Sequence, residues 1–178
     1  MTSCNRAQEW EQLVLRLQRE LTALDREERL WIQQNLHHIQ TLQRQLHQLF
    51  CMAGGPEICA RCAGSCCEHG HNHMTLVNLL AAQLEGCLPQ ADFSCSCPFL
   101  GDSGCALPAA VRPYNCVTFI CEAIEAAMDT EQRLRFYRLD QQLRELYQLF
   151  DQRYAASSLR GLLIASRRLG NVPLLSRC

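Results

Sequence analysis

Along the first fifty positions apolar residues recur at a helical interval: Trp10, Leu13, Val14, Leu17, Leu21 and Leu24, then Trp31, Ile32, Leu36, Ile39, Leu42, Leu46 and Leu49. Gln, Glu and Arg fill the positions between them, and residues 3–50 contain neither Gly nor Pro, so the whole stretch favours helix. The stripe changes phase near Asp25 to Glu28, which predicts either one continuous helix or two helices broken there, with Thr2 or Ser3 as the N-cap. Its period is only partly heptad. That favours packing on the chain's own helices, with a coiled-coil homodimer as the alternative.

The breaker AGGP at Ala53 to Pro56 ends the pattern ahead of the first clustered cysteine, where loops are expected to begin. A short apolar helix is predicted over Met74 to Leu84, with Thr75 as N-cap and Gly86 as stop. Helix is expected again from Glu122 to Met128. A longer one, capped by Asp129 or Thr130, should run to about Ala156 on Leu134, Leu139, Leu143, Leu146, Phe150 and Tyr154. Ser157 or Ser158 should start a last helix, which Gly170, Asn171 and Pro173 stop. Phe136, Tyr137, Tyr147, Phe150 and Tyr154 fall at core-like spacing. No alternating strand pattern exceeds a few residues.

The expected fold class is therefore mainly α, a helical scaffold around a Cys-rich irregular metal-binding centre. Residues 1–178 form one domain: N-terminal helix or helical hairpin 3–52, cysteine core 57–122, C-terminal helices 123–178.

Charge narrows the partners. All 17 basic residues are Arg, and they interleave with 18 acidic ones to leave a net charge of -1, which describes solvated helix faces and argues against nucleic acid. No apolar run approaches the ~20 residues that cross a bilayer, and the N-terminus lacks a secretory pattern, so a cytoplasmic protein with no membrane contact is expected. In a reducing compartment 13 cysteines, odd in number and clustered, point to metal ligation and away from disulfides.

Ten of those 13 cysteines lie between Cys59 and Cys121. Cys59, Cys62, Cys66 and Cys67 read C-x2-C-x3-C-C, and a C-x2-C turn brings two sulfurs within reach of one ion. Cys66 and Cys67 are adjacent and should point to opposite sides, so they serve two metal positions or one of them is not a ligand. His69, His71 and His73 follow as a polar loop, with a peripheral Zn²⁺, Ni²⁺ or Cu²⁺ site as the alternative. The second group holds Cys95, Cys97, Cys105, Cys116 and Cys121, with the turn GDSG folding the chain back to present Cys105. Cys87 reads as a buried small hydrophobe, and Cys4 and Cys178 as free thiols. His37, His38 and His47 read as solvent-facing. An anionic all-thiolate site needs a donor or a cation beside it; Arg112 supplies one, donating to a sulfur or to a carbonyl of the ligand loop, or else is a surface arginine fixed by Pro113.

CARCAGSCC at 59–67, CPFL at 97–100, Gly104-Cys105 and VRPYNC at 111–116 together resemble the YkgJ-type cysteine-cluster family, the CxxCxxCC zinc- or iron-chelating domain. The likeness covers about residues 57–122. It implies a bacterial cytoplasmic metal-binding module and carries a ligand role onto Cys59, Cys62, Cys66, Cys67, Cys97, Cys105 and Cys116, with Cys121 the eighth by position. The sequence departs from the family pattern in having three residues before CC and Ala-Leu-Pro after Cys105. The family includes flagellin lysine N-methylases, which adds protein methyl transfer as an alternative. No Gly-rich nucleotide loop and no C-x3-C-x2-C order accompanies it here.

The leading expectation is a protein holding zinc or an iron–sulfur cluster, for structural or electron-carrying use. Adjacent cysteines and surplus thiols suit a multinuclear iron–sulfur centre. A protein-modifying enzyme, and a metal-delivery protein that docks a partner through its N-terminal helix, are the alternatives.

Overall fold

The computed structural model describes residues 3–61, 74–88, 90–101, 104–156 and 158–178. Among them the chain is mainly helical. The N-terminal stretch is two helices, α1 (Ser3–Ala23) and α2 (Arg26–Met52), broken where the stripe changes phase. Asp25 stops one and starts the other: its backbone is extended, and its side chain accepts the N–H of Glu28.

The turn after α2 is shorter than expected. The chain re-enters helix at once as α3 (Gly55–Arg61), with Pro56 in the first turn where its missing N–H costs nothing, so Cys59 sits on a helix and not in a loop. Gly55 lies under the Phe50 ring, where an added Cβ would come within 2.5 Å of ring carbons.

Helix α4 (Leu76–Leu84) is buried over most of its length. Thr75 occupies its N-cap, but the hydroxyl donates to Asn78 Oδ1 at 2.6 Å instead of capping the backbone, and Gly86 turns the chain away at φ +63. A small hairpin follows, β1 (Leu100–Gly101) against β2 (Gly104–Cys105), with Leu100 opposite Cys105. A 3₁₀ turn over Ala109–Val111 leads to α5 (Tyr114–Thr118), α6 (Glu122–Ala127) and α7 (Thr130–Arg153). Asp129 and Gln132 close a reciprocal capping box at the start of α7.

Helix α7 buries Phe136, Leu139, Leu143, Tyr147 and Phe150. Leu134 and Tyr137, both expected in the core, stand on its opposite side and are exposed. The helix ends at Arg153, before Ala156, because Tyr154–Ala156 pairs with the C-terminal tail: Ala155 N–H donates to Ser176 O and Ala156 N–H to Leu174 O. The last helix, α8 (Leu162–Leu169), starts later than Ser158, whose side chain is buried; Ser157 lies outside the described residues. Leu162 N–H is held by Met74 O at 2.7 Å, which fixes that start to the head of α4.

Helices α2 and α7 form the spine. They pass in opposite senses, with the first turn of α2 meeting the last of α7 through Glu28 and Arg153, and Trp31 lying 4.9 Å from Phe150, ring to ring. Helix α1 is laid across α4 and α8; its Trp10 meets Phe93 and Phe99, tying it to the hairpin segment. The α2 stripe is thus buried within the chain. No described helix is long and apolar enough to cross a membrane.

Candidate metal centre

Cys62, Cys66 and Cys67, with His69, His71 and His73, lie outside the described residues, as does the side chain of Cys4. The described ligand candidates are Cys59, Cys97, Cys105, Cys116 and Cys121, each a reduced thiol outside any disulfide.

Cys97 is the most enclosed. The segment before it is a compact turn: Asp92 N–H donates to Pro98 O, Cys95 N–H to Asp92 O, and the Asp92 carboxylate takes the N–H and hydroxyl of Ser94. The hairpin then closes, with Ala106 N–H on Phe99 O at 2.8 Å. Folding CPFL this way buries Phe99 beneath Trp10 and closes a turn in which Leu100 N–H donates to Cys97 O at 3.1 Å. Burial pushes the Cys97 thiol up, the Phe99 N–H pulls it down, and the neighbouring thiols of Cys105 and Cys95 push it up again. Cys95 and Cys97 thus precede the hairpin that carries Cys105, and thiols that act on one another are soft donors of the kind a thiophilic metal takes.

The helices that carry Cys59 and Cys121 touch. Helix α3 packs on α6, whose N-cap is Cys121, and the Cys121 side chain makes no capping bond there. Cys116 lies on α5 with its N–H on Pro113 O at 2.9 Å, its thiol exposed and close enough to Tyr147 to act on that hydroxyl's acidity. Among the described residues no three of His, Cys, Asp and Glu converge as a metal-holding group. Cys87 is half-buried, and desolvation followed by the Glu85 charge pushes its thiol up, as befits a packed side chain.

Arg112 joins the two halves of the second group. Its Nε donates to Leu107 O at 2.9 Å, the carbonyl two residues beyond Cys105. The Arg112 carbonyl in turn accepts Asn78 Nδ2 at 2.6 Å and Gln43 Nε2 at 2.7 Å. Both amides also reach the Tyr147 hydroxyl, at 2.8 and 3.3 Å. Gln43, Asn78 and Tyr147 are fully buried, from α2, α4 and α7 in turn. Tyr147 is buried as its core-like spacing leads one to expect, whereas the sequence reading passes over Gln43 and Asn78, since nothing in the local pattern marks a Gln or Asn for burial. The nearest signal was that each stands on the apolar face of its helix.

Tyr114 extends this knot outward. Its hydroxyl donates to Asp140 at 2.6 Å and its ring lies 5.2 Å from that of Tyr147; burial first, and the Asp140 bond second, push it to about 12. His37 and His38 are solvent-facing as expected. His47 is not: it is half-buried, and desolvation, then the charge of Arg112, holds it below its ordinary value. Compared with protein-family models, curated proteins and solved structures, the chain matches none.

Proposed function

We propose that the chain is a metal-binding protein whose cysteine cluster holds zinc or an iron–sulfur centre. The observation that supports this reading is the turn and hairpin at Cys97: a buried sulfur, with Cys105 paired into the hairpin opposite Leu100 and the thiols of Cys105 and Cys95 near enough to act on the Cys97 charge. Such a grouping of sulfurs is what a thiolate site needs. Cys97, Cys105 and Cys116 would ligate, with Cys59 and Cys121 from the α3–α6 pair and Cys62, Cys66 and Cys67 from the C-x2-C-x3-C-C run. Arg112 acts as a positioning residue, fixing the backbone between Cys105 and Cys116 through Leu107 O.

Eight thiolates satisfy two four-coordinate positions and leave none open, which favours structural or electron-carrying use. Full-length protein purified anaerobically should carry metal by elemental analysis, colourless with zinc and brown with iron–sulfur. Cys97→Ser and Cys105→Ser should each lower the metal content while Cys178→Ser leaves it unchanged. A chain that emerges from anaerobic purification without metal overturns the proposal.

A further inference from the structure

The last turn of α2 carries a second pair of soft ligands. His47 and Cys51 are four residues apart on one helix, and their Nε2 and Sγ atoms stand 3.6 Å from each other. With Zn–N near 2.0–2.1 Å and Zn–S near 2.3 Å, the N-to-S edge of a zinc tetrahedron is about 3.6 Å, so the separation of the two atoms matches that of two ligands on one ion. Cys51 is exposed, leaving the other coordination positions to water.

Three features prepare the pair. The imidazole is stacked on Phe50, centroids 5.7 Å apart and planes within 19°, and Phe50 is wedged over Gly55, so the ring is not free to turn away. The last turn of α2 holds no basic residue, so the negative end of the helix dipole is open to a cation. The charge of Arg112 acts on His47, and the Glu57 carboxylate lies by the turn at Gly54, its Oε2 3.9 Å from where a Cβ would stand. Burial first and the Arg112 charge second lower the ring's hold on a proton, which favours the neutral form that binds metal.

We infer that His47 and Cys51 form a bidentate, solvent-open site for a thiophilic divalent ion, separate from the cysteine cluster and one turn ahead of the helix that bears Cys59. Its two protein ligands and open positions make it a site of exchange, suited to taking up or passing on an ion.

The test is site-resolved alkylation of the full chain as purified, with and without added Zn²⁺, followed by peptide mass spectrometry. Bound zinc removes the free thiolate, so Cys51 should react about tenfold more slowly with zinc present, while exposed Cys178 keeps its rate. His47→Gln should abolish the protection of Cys51, with the helical circular dichroism and the melting temperature showing the variant folded. The protection should persist in Cys97→Ser, so that loss of cluster metal and loss of this site are read apart. Equal Cys51 rates with and without zinc, or protection that survives His47→Gln, overturns the inference.

Discussion

Glu28 offers the sharpest test of how this scaffold is held. Its side chain is only 3% exposed, yet it is ionised: Arg153 grips it with Nε at 2.7 Å and Nη2 at 2.6 Å, and the Tyr154 hydroxyl and the Arg177 guanidinium also donate to it. These donors, Arg153 foremost, hold the carboxyl at about 2 against an ordinary 4.5. Such a fall corresponds to about 3 kcal/mol of stability near neutral pH. Because the folded value is the lower one, that stability is complete above 4.5 and is lost as pH falls toward 2.

Glu28→Gln removes the charge and keeps the shape. Breaking a buried ion pair costs about 3–5 kcal/mol when the orphaned partner cannot escape. Here Arg177 is largely solvent-exposed and Arg153 stays over the Trp31 ring at 4.2 Å, so about 2–3 kcal/mol is the expected loss. Urea unfolding followed by circular dichroism at a series of pH values reads both numbers. The gap between wild type and variant should be full near neutrality, narrow below pH 4.5 and be nearly closed at pH 2. A variant as stable as wild type at neutral pH, or a gap that persists at pH 2, refutes the reasoning.

Two substitutions probe the supports of the candidate centre. Gly55→Ala drives a Cβ to within 2.5 Å of the Phe50 ring and should cost about 1–3 kcal/mol, read in thermal melts, with the turn between α2 and α3 loosened. Tyr147→Phe deletes the oxygen that accepts from Asn78 and Gln43; it should cost about 1–2 kcal/mol and speed release of metal to a competing chelator, because the Arg112 segment is less firmly held. An unchanged release rate in a destabilised Tyr147→Phe chain would separate the knot from metal retention.

The helices were legible wherever their signals are local. The break at Asp25 and the start of α7 at Asp129 rest on a carboxylate capping the third N–H ahead, which the chain advertises within four residues. Legibility failed where a distant partner decides. Ser158 looks like a helix start, but Leu162 N–H is claimed by Met74 O, and Ala155 and Ala156 just ahead of it are bonded to the tail. Leu134 belongs to the apolar pattern of α7, yet the helix presents Phe136, Leu139 and Leu143 to the core and leaves it outside. In AGGP the breaker reading was half right: it ends α2, but Pro in a first turn also starts α3, so Cys59 acquires a helix.

The same division runs through the candidate site. Cysteines announce themselves by spacing, whereas what fixes the backbone between them is spread over the whole chain. A single carbonyl, that of Arg112, draws an amide from 69 residues before it and another from 34 residues before it, and both amides meet a hydroxyl on α7. Burying two amides and a phenol costs several kcal/mol unless each finds partners; here one carbonyl accepts an N–H from both amides, while Gln43 Oε1 is buried without a hydrogen-bond partner. A fold that needed only hydrophobic contact at this point would have placed leucines at 43 and 78, as it does at neighbouring positions 46, 79 and 80. The polar residues therefore hold a particular peptide in place, and the peptide they hold is the one between Cys105 and Cys116. Position, more than stability, is what this knot supplies, and a set of sulfurs that must meet at fixed angles is what would require it.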